Sequence, residues 1–452
     1  MNRAKLRLIG AAASISIGAL GLVACGGPEA ATDGKVDGAG KTLNVLVGAN
    51  AQHGEKYKVW QAHIAEEFKK STGADVEFET FASASDELSK IQTSVVSGQG
   101  PDVYSVGTTF VPTAYSTDAF VKFDDQQWDK VGGRDRFVPA TLGISGPDEK
   151  NEVGVPFLSR PFVLAYNTEL FEKAGLGKPA ETWDGLLEQA KKLTGGSTYG
   201  FATGYADNYS PWKFIWTMAN QAGNPLVDGD KARLEDPAVL KAYETYFGWL
   251  TKDKVVNPAA AGWNDSQAAA DFAAGKSAMM LMTTANAKPT FDSSAIKGKY
   301  AFTTMPTVPP GQSTAPSGGN AVTSIISGDD LVIAEYSENQ DLAAAYIKLV
   351  TSEDEQLHYH KTFGDLPANA AAAKKVADAD AALAPMIESA KQAKSTPFTG
   401  AWGDIQLALT NIVAQARPAL ANGGVSQSAI EAALAQAQKD AQASLDRAAA
   451  SK

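Results

Sequence analysis

The segment that runs from Leu43-Asn44-Val45-Leu46-Val47 to Pro101-Asp102-Val103-Tyr104-Ser105-Val106 decides the fold. Both of these runs are short and apolar, which is typical of buried strands. Between them, Val76 and Phe78 alternate with acidic residues, as in a third strand. The sequence therefore predicts three strands within about 65 residues of chain.

Two helical patterns separate these strands. The apolar residues at helical spacing, with the glycine that ends each pattern, are Trp60, Ile64, Phe68 and Gly73, then Leu88, Ile91, Val95 and Gly98. A chain that alternates strand, helix, strand, helix and strand predicts a parallel sheet with helices on its faces. The fold class is therefore α/β.

The second half of the chain shows the same pattern with more helix. Thr182 is a good N-cap for a helix over Trp183–Leu193, because its hydroxyl can accept from the first turn. The run Phe272–Met280 predicts a helix end, a glycine turn and a buried strand. Further helices are expected at Leu342–Val350 and at Ser426–Arg447, where the last one docks through its apolar face.

The first 25 residues have the features of an export signal. Three basic residues precede an apolar stretch over 8–22, which ends in Leu22-Val23-Ala24-Cys25. This ending resembles the lipobox of bacterial lipoproteins, which implies that residues 1–24 are a signal peptide and that Cys25 receives a lipid. The alternatives are an ordinary signal peptide with an incidental cysteine and an uncleaved anchor, although the apolar run is shorter than the ~20 residues of a spanning helix. Residues 25–40 are rich in small residues and predict a flexible tether.

Composition limits the remaining possibilities. The chain has 452 residues, of which 44% are apolar and 20% charged, so it can build two or three cores. Its net charge of −11 disfavours nucleic acid and anionic lipid as partners. Its single cysteine excludes an internal disulfide, and its four histidines show no zinc-finger spacing. We expect no metal and no cofactor.

Several short strings occur in an order that one family shares. They are Phe68-Lys-Lys-Ser-Thr-Gly73, Gly100-Pro-Asp-Val103, Val155-Pro-Phe157, Leu164-Ala-Tyr-Asn167, Leu170-Phe-Glu-Lys-Ala-Gly-Leu176, Thr182-Trp-Asp184, Gly275-Lys-Ser-Ala-Met279 and Gly364-Asp-Leu-Pro367. In their order and spacing, from about Lys41 to the C-terminus, they resemble the carbohydrate-type extracellular solute-binding proteins of bacterial ABC importers. The maltose-binding protein belongs to that group.

The resemblance implies two α/β lobes around a ligand cleft. The N-terminal lobe would comprise residues 41–158 and 307–350, and the C-terminal lobe residues 159–306 and 351–452. The chain would cross between them near Leu158-Ser159, Met305-Pro306 and Val350-Thr351, beside proline- or turn-rich stretches. Such a monomer would close around its ligand and pass it to the importer's permease subunits.

Aromatic side chains are the first candidates for the site, because sugars offer apolar faces for stacking. The resemblance implies a stacking tryptophan at Trp402, where neighbouring glycines favour a loop. It also implies a stacking aromatic at Lys213, a position at which Trp212 or Tyr209 could substitute. Each tryptophan could instead be a core residue.

Polar candidates can bind the hydroxyls of a sugar. Arg160 lies where maltose-type members have a sugar-binding glutamate, and it could contact ligand or form a structural ion pair. The remaining candidates follow predicted strands or glycine turns and could equally be plain turn residues: Gly319, Asn320, Asn286, Trp263, Asn50 and His53. His358 and His360 are two residues apart on a predicted helix, so we expect them to be solvated.

These observations predict a lipid-anchored receptor on the outer face of the cytoplasmic membrane that captures a sugar, most simply an oligosaccharide. The sequence contains no nucleophile elbow, phosphate loop or His-Glu-x-x-His motif. Two alternatives stay open. One is a secreted glycosidase, since 51 acidic residues always offer carboxylate pairs. The other is a receptor of the same fold for a polyamine, a phosphodiester or a metal.

Overall fold

The computed structural model describes residues 36–50 and 53–450. Cys25, the signal segment and most of the tether lie outside the described residues. Within those residues the chain forms twelve β-strands: β1 (Thr42–Gly48), β2 (Asp75–Phe81), β3 (Val103–Gly107), β4 (Val155–Ser159), β5 (Val163–Asn167), β6 (Tyr199–Ala202), β7 (Val227–Asp228), β8 (Lys231–Ala232), β9 (Ser277–Thr283), β10 (Tyr300–Thr303), β11 (Gly328–Ile333) and β12 (Leu366–Pro367).

Sixteen α-helices connect and cover these strands in the described part of the chain. They are α1 (Gly54–Thr72), α2 (Ala84–Ser97), α3 (Val111–Ser116), α4 (Asp125–Lys130), α5 (Thr168–Lys173), α6 (Trp183–Leu193), α7 (Pro211–Gln221), α8 (Pro237–Leu250), α9 (Asp265–Ala273), α10 (Lys288–Asp292), α11 (Gln340–Val350), α12 (Glu353–Phe363), α13 (Ala370–Ala379), α14 (Ala384–Gln392), α15 (Trp402–Ala421) and α16 (Gln427–Ala450). No helix of residues 36–50 and 53–450 is long and apolar enough to cross a membrane.

The predicted βαβαβ unit forms the centre of the first sheet. This sheet has the order β12-β4-β11-β3-β1-β2, and β1 pairs in parallel with both β2 and β3. Helix α1 ends at Gly73, whose positive φ of 81° lets its N–H bond back to Lys69. The parallel pairing and the α/β class are confirmed, while β11 adds antiparallel pairs with β3 and β4.

The second sheet has the order β10-β5-β9-β6. Strand β9 is buried along its whole length between β5, which is antiparallel to it, and β6, which is parallel to it. Thr182 caps α6 by accepting from the N–H of Gly185 at 3.0 Å, as the sequence predicted. Each sheet has its own apolar core, and two sheets with separate cores make two lobes.

The chain passes between the sheets at positions that differ in part from those expected. The first passage, over residues 160–162, joins β4 directly to β5. After β10, however, the chain stays on the second core, where Met305, Val322 and Ile325 are buried, and it reaches the first sheet at β11. From β11 the chain then stays on the first lobe through α11, α12 and β12, since Tyr346, Tyr359 and Phe363 are buried in its core.

The last two helices pack on the second lobe. In α16 the apolar residues at helical spacing are buried, as expected for a docked tail: Ile430, Leu434, Ala437, Ala441 and Leu445. Trp402 was expected in a loop, but it is the first residue of the 20-residue helix α15. The start of this helix touches the first lobe, since Thr113 Oγ1 donates to the Gly400 carbonyl at 3.2 Å. Helix α15 therefore spans the junction between the lobes.

Candidate functional site

An arginine in the segment between the two sheets lies at the centre of the candidate site. Arg160 follows β4 and donates to Asp329 Oδ2 at 2.6 Å and to Asp365 Oδ1 at 2.8 Å. Burial alone would favour the neutral guanidine, but the attraction of the two carboxylates outweighs it and holds the pKa of Arg160 well above its usual value. The side chain is therefore a charged bridge between two acidic residues.

A second group of polar side chains comes from the other lobe, at the start of α7. The Lys213 ammonium lies 4.8 Å from the centre of the Phe162 ring, close to the chain's first passage between the sheets. Burial lowers the pKa of Lys213, while Asp207 and Asp265 oppose that effect. Burial and the neighbouring Asp207 raise the pKa of Asp265, although Ser210 donates a hydrogen bond to its carboxylate.

A buried glutamate of the first lobe faces a tyrosine of the second. Glu87 on α2 is 1% exposed and accepts from the Gly107 N–H at 2.8 Å. Burial raises the pKa of Glu87 to about 8, against the Gly107 hydrogen bond and with a smaller contribution from Asp329. Tyr209 packs against the first lobe, and burial raises its pKa too, followed by repulsion from Glu87. Tyr209 therefore lies at the junction of the lobes, packed against an apolar core of the first lobe.

The lobes also touch at the start of α1. His53 donates its backbone N–H to Asn50 Oδ1 at 2.8 Å, and its ring lies beside the backbone of Asn286. Burial lowers the pKa of His53, followed by repulsion from Lys56, while Asp365 opposes them. Gly364 is required here, because it has a φ of 86° and a Cβ would come within 2.9 Å of the Ala285 carbonyl.

Two of the predicted aromatic residues lie together. The rings of Trp212 and Trp402 meet edge to face, with centroids 5.7 Å apart. Their side chains are buried in the core of the second lobe, and Trp402 is completely so. Among residues 36–50 and 53–450, its indole Nε1 has no hydrogen-bond partner. The stacking role stays a prediction, and the packing is that of core residues.

Two predicted residues lie apart from the group around Lys213, and a third lies beside it. Asn320 is exposed, and its N–H donates to the Asn220 carbonyl at 3.2 Å, near the C-terminal end of α7. This end is about 12 Å along the helix from Lys213. Gly319 packs against the Gln221 carbonyl beside it. Trp263 is half-buried against the second core, and its carbonyl accepts from the N–H of Ala206, next to Asp207.

A cavity of about 150 Å³ opens between the lobes. Its lining combines the start of α2, the loop before α7 and one face of α15: Ser83, Ala84, Ser85, Tyr205, Ala206, Asp207, Asn208, Leu407, Thr410, Asn411, Ala414 and Arg417. Eight of these twelve residues carry hydroxyl, amide, carboxylate or guanidinium groups and four are alanine or leucine, so the lining can exchange hydrogen bonds with a hydroxylated solute and cover its apolar parts. Asp207 joins the cavity to the group around Lys213.

Sequence comparison identifies the family. The pattern of the bacterial extracellular solute-binding proteins matches residues 50–357, which is more than half of the chain. The chain belongs to this family. The resemblance inferred from the short strings is confirmed, and so is the two-lobed fold of the solute-binding proteins.

Relatives cover nearly all of this solute-binding protein. The diacetylchitobiose-binding protein DasA of Streptomyces coelicolor is 26% identical over 418 residues, which cover 90% of this chain and 91% of the relative. Among solved structures, a maltose-bound MalE3 of T. maritima has a TM-score of 0.74 at 20% identity and covers 88% of this chain and 99% of its own. A Thermotoga lettingae protein bound to α-D-tagatose has a TM-score of 0.73 at 22% identity, with coverage of 89% and 100%.

The site contains residues that the sequence did not point to. Its carboxyl groups belong to Glu87, Asp207, Asp265, Asp329 and Asp365, and the sequence analysis selected none of these five as a site residue, although Asp265 follows the candidate Trp263 by two positions. Asp329 and Asp365 lie 169 and 205 residues after Arg160, so no local spacing connects them to it. The Asp329-Asp330 pair inside an apolar strand was the one available signal, because charged residues are seldom buried without a partner.

Proposed function

We propose that this protein captures a sugar, most simply an oligosaccharide, in the cleft between its lobes and delivers it to the permease of an ABC importer. The observation that supports the proposal is that polar side chains from both lobes lie close together at the junction between them. Glu87 and Asp329 face Tyr209, Asp207 and Lys213 across the junction. Carboxylates accept from sugar hydroxyls and an ammonium donates to them, while aromatic rings cover the apolar faces of a sugar.

The relatives support a carbohydrate rather than another solute. DasA is described as binding diacetylchitobiose, and the similar structures hold maltose and tagatose. A relative described as binding sn-glycerol-3-phosphate is 30% identical over 150 residues, which cover 29% of this chain. This match is much shorter than that of DasA, which covers 90% of this chain. We therefore place a phosphate ester second to a neutral sugar.

The proposed cycle includes movement of the lobes. The lobes would rotate about the passages at 160–162, at 326–328 and after β12, because these are the points where the chain leaves one core for the other. These positions revise the second and third crossings that the sequence suggested.

The family is extracellular, and we propose that a lipid on Cys25 holds the protein at the outer face of the cytoplasmic membrane. The relatives are described as binding proteins, so we propose no turnover of the sugar.

Calorimetry tests the proposal. The mature protein is titrated with a panel of mono- to tetrasaccharides, including N-acetylated β-linked disaccharides, and with glycerol phosphate and a polyamine as competing classes. We expect saturable binding of a sugar and of neither charged class. Sugar analysis of the same samples after overnight incubation should show the ligand unchanged. Binding of glycerol phosphate alone, or hydrolysis that stops when Asp207 is replaced, would contradict the proposal.

A matched pair of variants tests the location of the site. Lys213→Met removes the ammonium at the junction, and we expect about 10- to 100-fold weaker sugar binding, from the loss of a charge-assisted hydrogen bond. Lys374→Met is the control, because Lys374 pairs with Asp378 on the exposed face of α13. Equal affinities of the two variants would place the sugar elsewhere.

A further inference from the structure

Two histidines and a glutamate form a cluster on the first lobe, away from the sugar site. His63 Nε2 lies 3.0 and 3.1 Å from the two carboxylate oxygens of Glu355. His358 Nδ1 lies 3.6 Å from Glu355 Oε2. One ligand atom from each of the three residues lies within 4.8 Å of the others. His63 is about 14 Å along α1 from its first residue, where His53 meets the sugar site.

The spacing of these atoms fits a transition-metal ion. Zinc binds imidazole nitrogen and carboxylate oxygen at about 2.0–2.2 Å, so neighbouring ligand atoms of a tetrahedral site are roughly 3.3 Å apart. The distances from Glu355 to the two histidines, 3.0 to 3.6 Å, lie around that value. A ligand set of two histidines and one carboxylate leaves a fourth position for water.

Rigid packing beneath the cluster holds the two helices in register. Trp60 on α1 and Tyr359 on α12 meet edge to face with centroids 5.1 Å apart, and both are buried. His63 follows Trp60 by one helical turn, and His358 directly precedes Tyr359, so both rings emerge beside this contact. The Ser352 hydroxyl caps α12 by accepting from the Glu355 N–H at 3.3 Å. Ligands fixed by a packed core need little rearrangement to bind a metal.

The three side chains are partly exposed to solvent, so an ion in solution can reach them. His63 is 33% exposed, Glu355 13% and His358 43%. The rings of His63 and His358 meet edge to face at 4.7 Å, which places nitrogens of both beside one carboxylate. Two imidazole nitrogens and a carboxylate oxygen from two helices are ligand types that a divalent transition metal takes in proteins.

We propose that His63, Glu355 and His358 bind one divalent transition-metal ion of the Zn²⁺ type and so link α1 to α12. Helix α12 leads directly to Asp365, which pairs with Arg160, and α1 begins at His53. The metal would stabilise the lobe through the two helices that border the sugar site. It touches no sugar-binding group, so the metal site and the sugar site can be tested separately.

Calorimetry with ZnCl₂ alone on the mature, tag-free protein tests this proposal. We expect one Zn²⁺ per chain, a rise in the melting temperature with added Zn²⁺, and no response to Mg²⁺ or Ca²⁺, which prefer all-oxygen sites. Co²⁺ in place of Zn²⁺ should give the intense visible absorption of a four-coordinate ion. His358→Ala and Glu355→Gln should each weaken Zn²⁺ binding at least tenfold.

The matched control is His360→Ala, two residues along the same helix. The ring of His360 bonds to the Asp365 carbonyl at 2.8 Å, outside the cluster, so this variant should bind Zn²⁺ as the parent does. His358 is partly exposed, so His358→Ala should fold, which circular dichroism checks. Absence of Zn²⁺ binding by the parent, or equal affinity in the parent and in a His63→Ala/His358→Ala double variant, would overturn the proposal. Sugar affinity measured in the double variant separates this result from a failure of the proposed sugar site.

Discussion

Replacing Glu87 by glutamine should change how stability depends on pH. The glutamate is 1% exposed, and burial raises its pKa from 4.5 to about 8. Between these two values the folded protein keeps the proton while the unfolded chain releases it. The unfolded state then binds fewer protons than the folded state, so the free energy of unfolding falls as pH rises. Glutamine resembles the protonated acid, and it can still accept from the Gly107 N–H.

The size of the effect follows from the two pKa values. Each pH unit between them removes up to ~1.4 kcal/mol from the free energy of unfolding. From pH 5 to pH 7.5 the wild-type protein should therefore lose about 3 kcal/mol that Glu87→Gln keeps. The contribution of Glu87 is small below pH 4.5 and levels off above pH 8. Other buried acids, such as Asp330, are present in both proteins, so the difference between the two curves isolates Glu87.

Urea denaturation at four pH values between 5 and 7.5 measures this difference. The control is Glu77→Gln, which removes an exposed carboxylate from β2 in the same lobe. We expect Glu87→Gln to gain stability over the wild type as pH rises and Glu77→Gln to follow the wild type. Parallel curves for Glu87→Gln and the wild type would refute the reasoning, because they would mean that the buried carboxyl ionises as readily as it does in water.

Three further predictions follow from the proposed function. Cys25→Ala should move the protein from the membrane fraction to the medium, and a variant that stays as tightly bound as the parent would contradict the lipid anchor. Small-angle scattering should show a smaller radius of gyration with the sugar, and an unchanged profile at saturation would count against closure. Trp402→Ala should lower stability by ~3–5 kcal/mol because the ring is fully buried. Trp402→Phe keeps more of that packing and is the better test of stacking. A 10- to 100-fold weaker sugar affinity of this variant, with a near-normal melting temperature, would support stacking. An unchanged sugar affinity would assign Trp402 to the core.

Local patterns predicted the secondary structure well. Helices α1, α2 and α6 lie where apolar residues recur at helical spacing, and the expected caps at Gly73 and Thr182 are present. These features depend on neighbours within one or two turns, which a sequence displays directly. The parallel direction of β1, β2 and β3 follows too, because a helix between two strands returns the chain to the end of the sheet at which the previous strand began.

Contacts between residues far apart in the sequence could not be predicted from local patterns. Nothing local shows that β12, a strand of two residues, joins β4, or that α12 buries Tyr359 and Phe363 in the first core. The second and third crossings were therefore expected earlier in the chain than the two cores place them. His358 illustrates the same limit, because its partner His63 lies on another helix 295 positions earlier. Spacing within a helix correctly separates His358 from His360 and says nothing of that second helix.

The position of Arg160 connects the candidate site to the proposed hinge. Arg160 stands in the first passage between the sheets, Asp329 lies at the start of β11, and Asp365 directly precedes β12. The two acids thus come from segments that adjoin the other passages, and a single guanidinium holds all three. Asp329 also adds to the raised pKa of Glu87, which faces Tyr209 of the second lobe. Under the proposed function, Arg160 would contribute to capture without touching the sugar, because it holds the acidic groups that adjoin all three passages between the lobes.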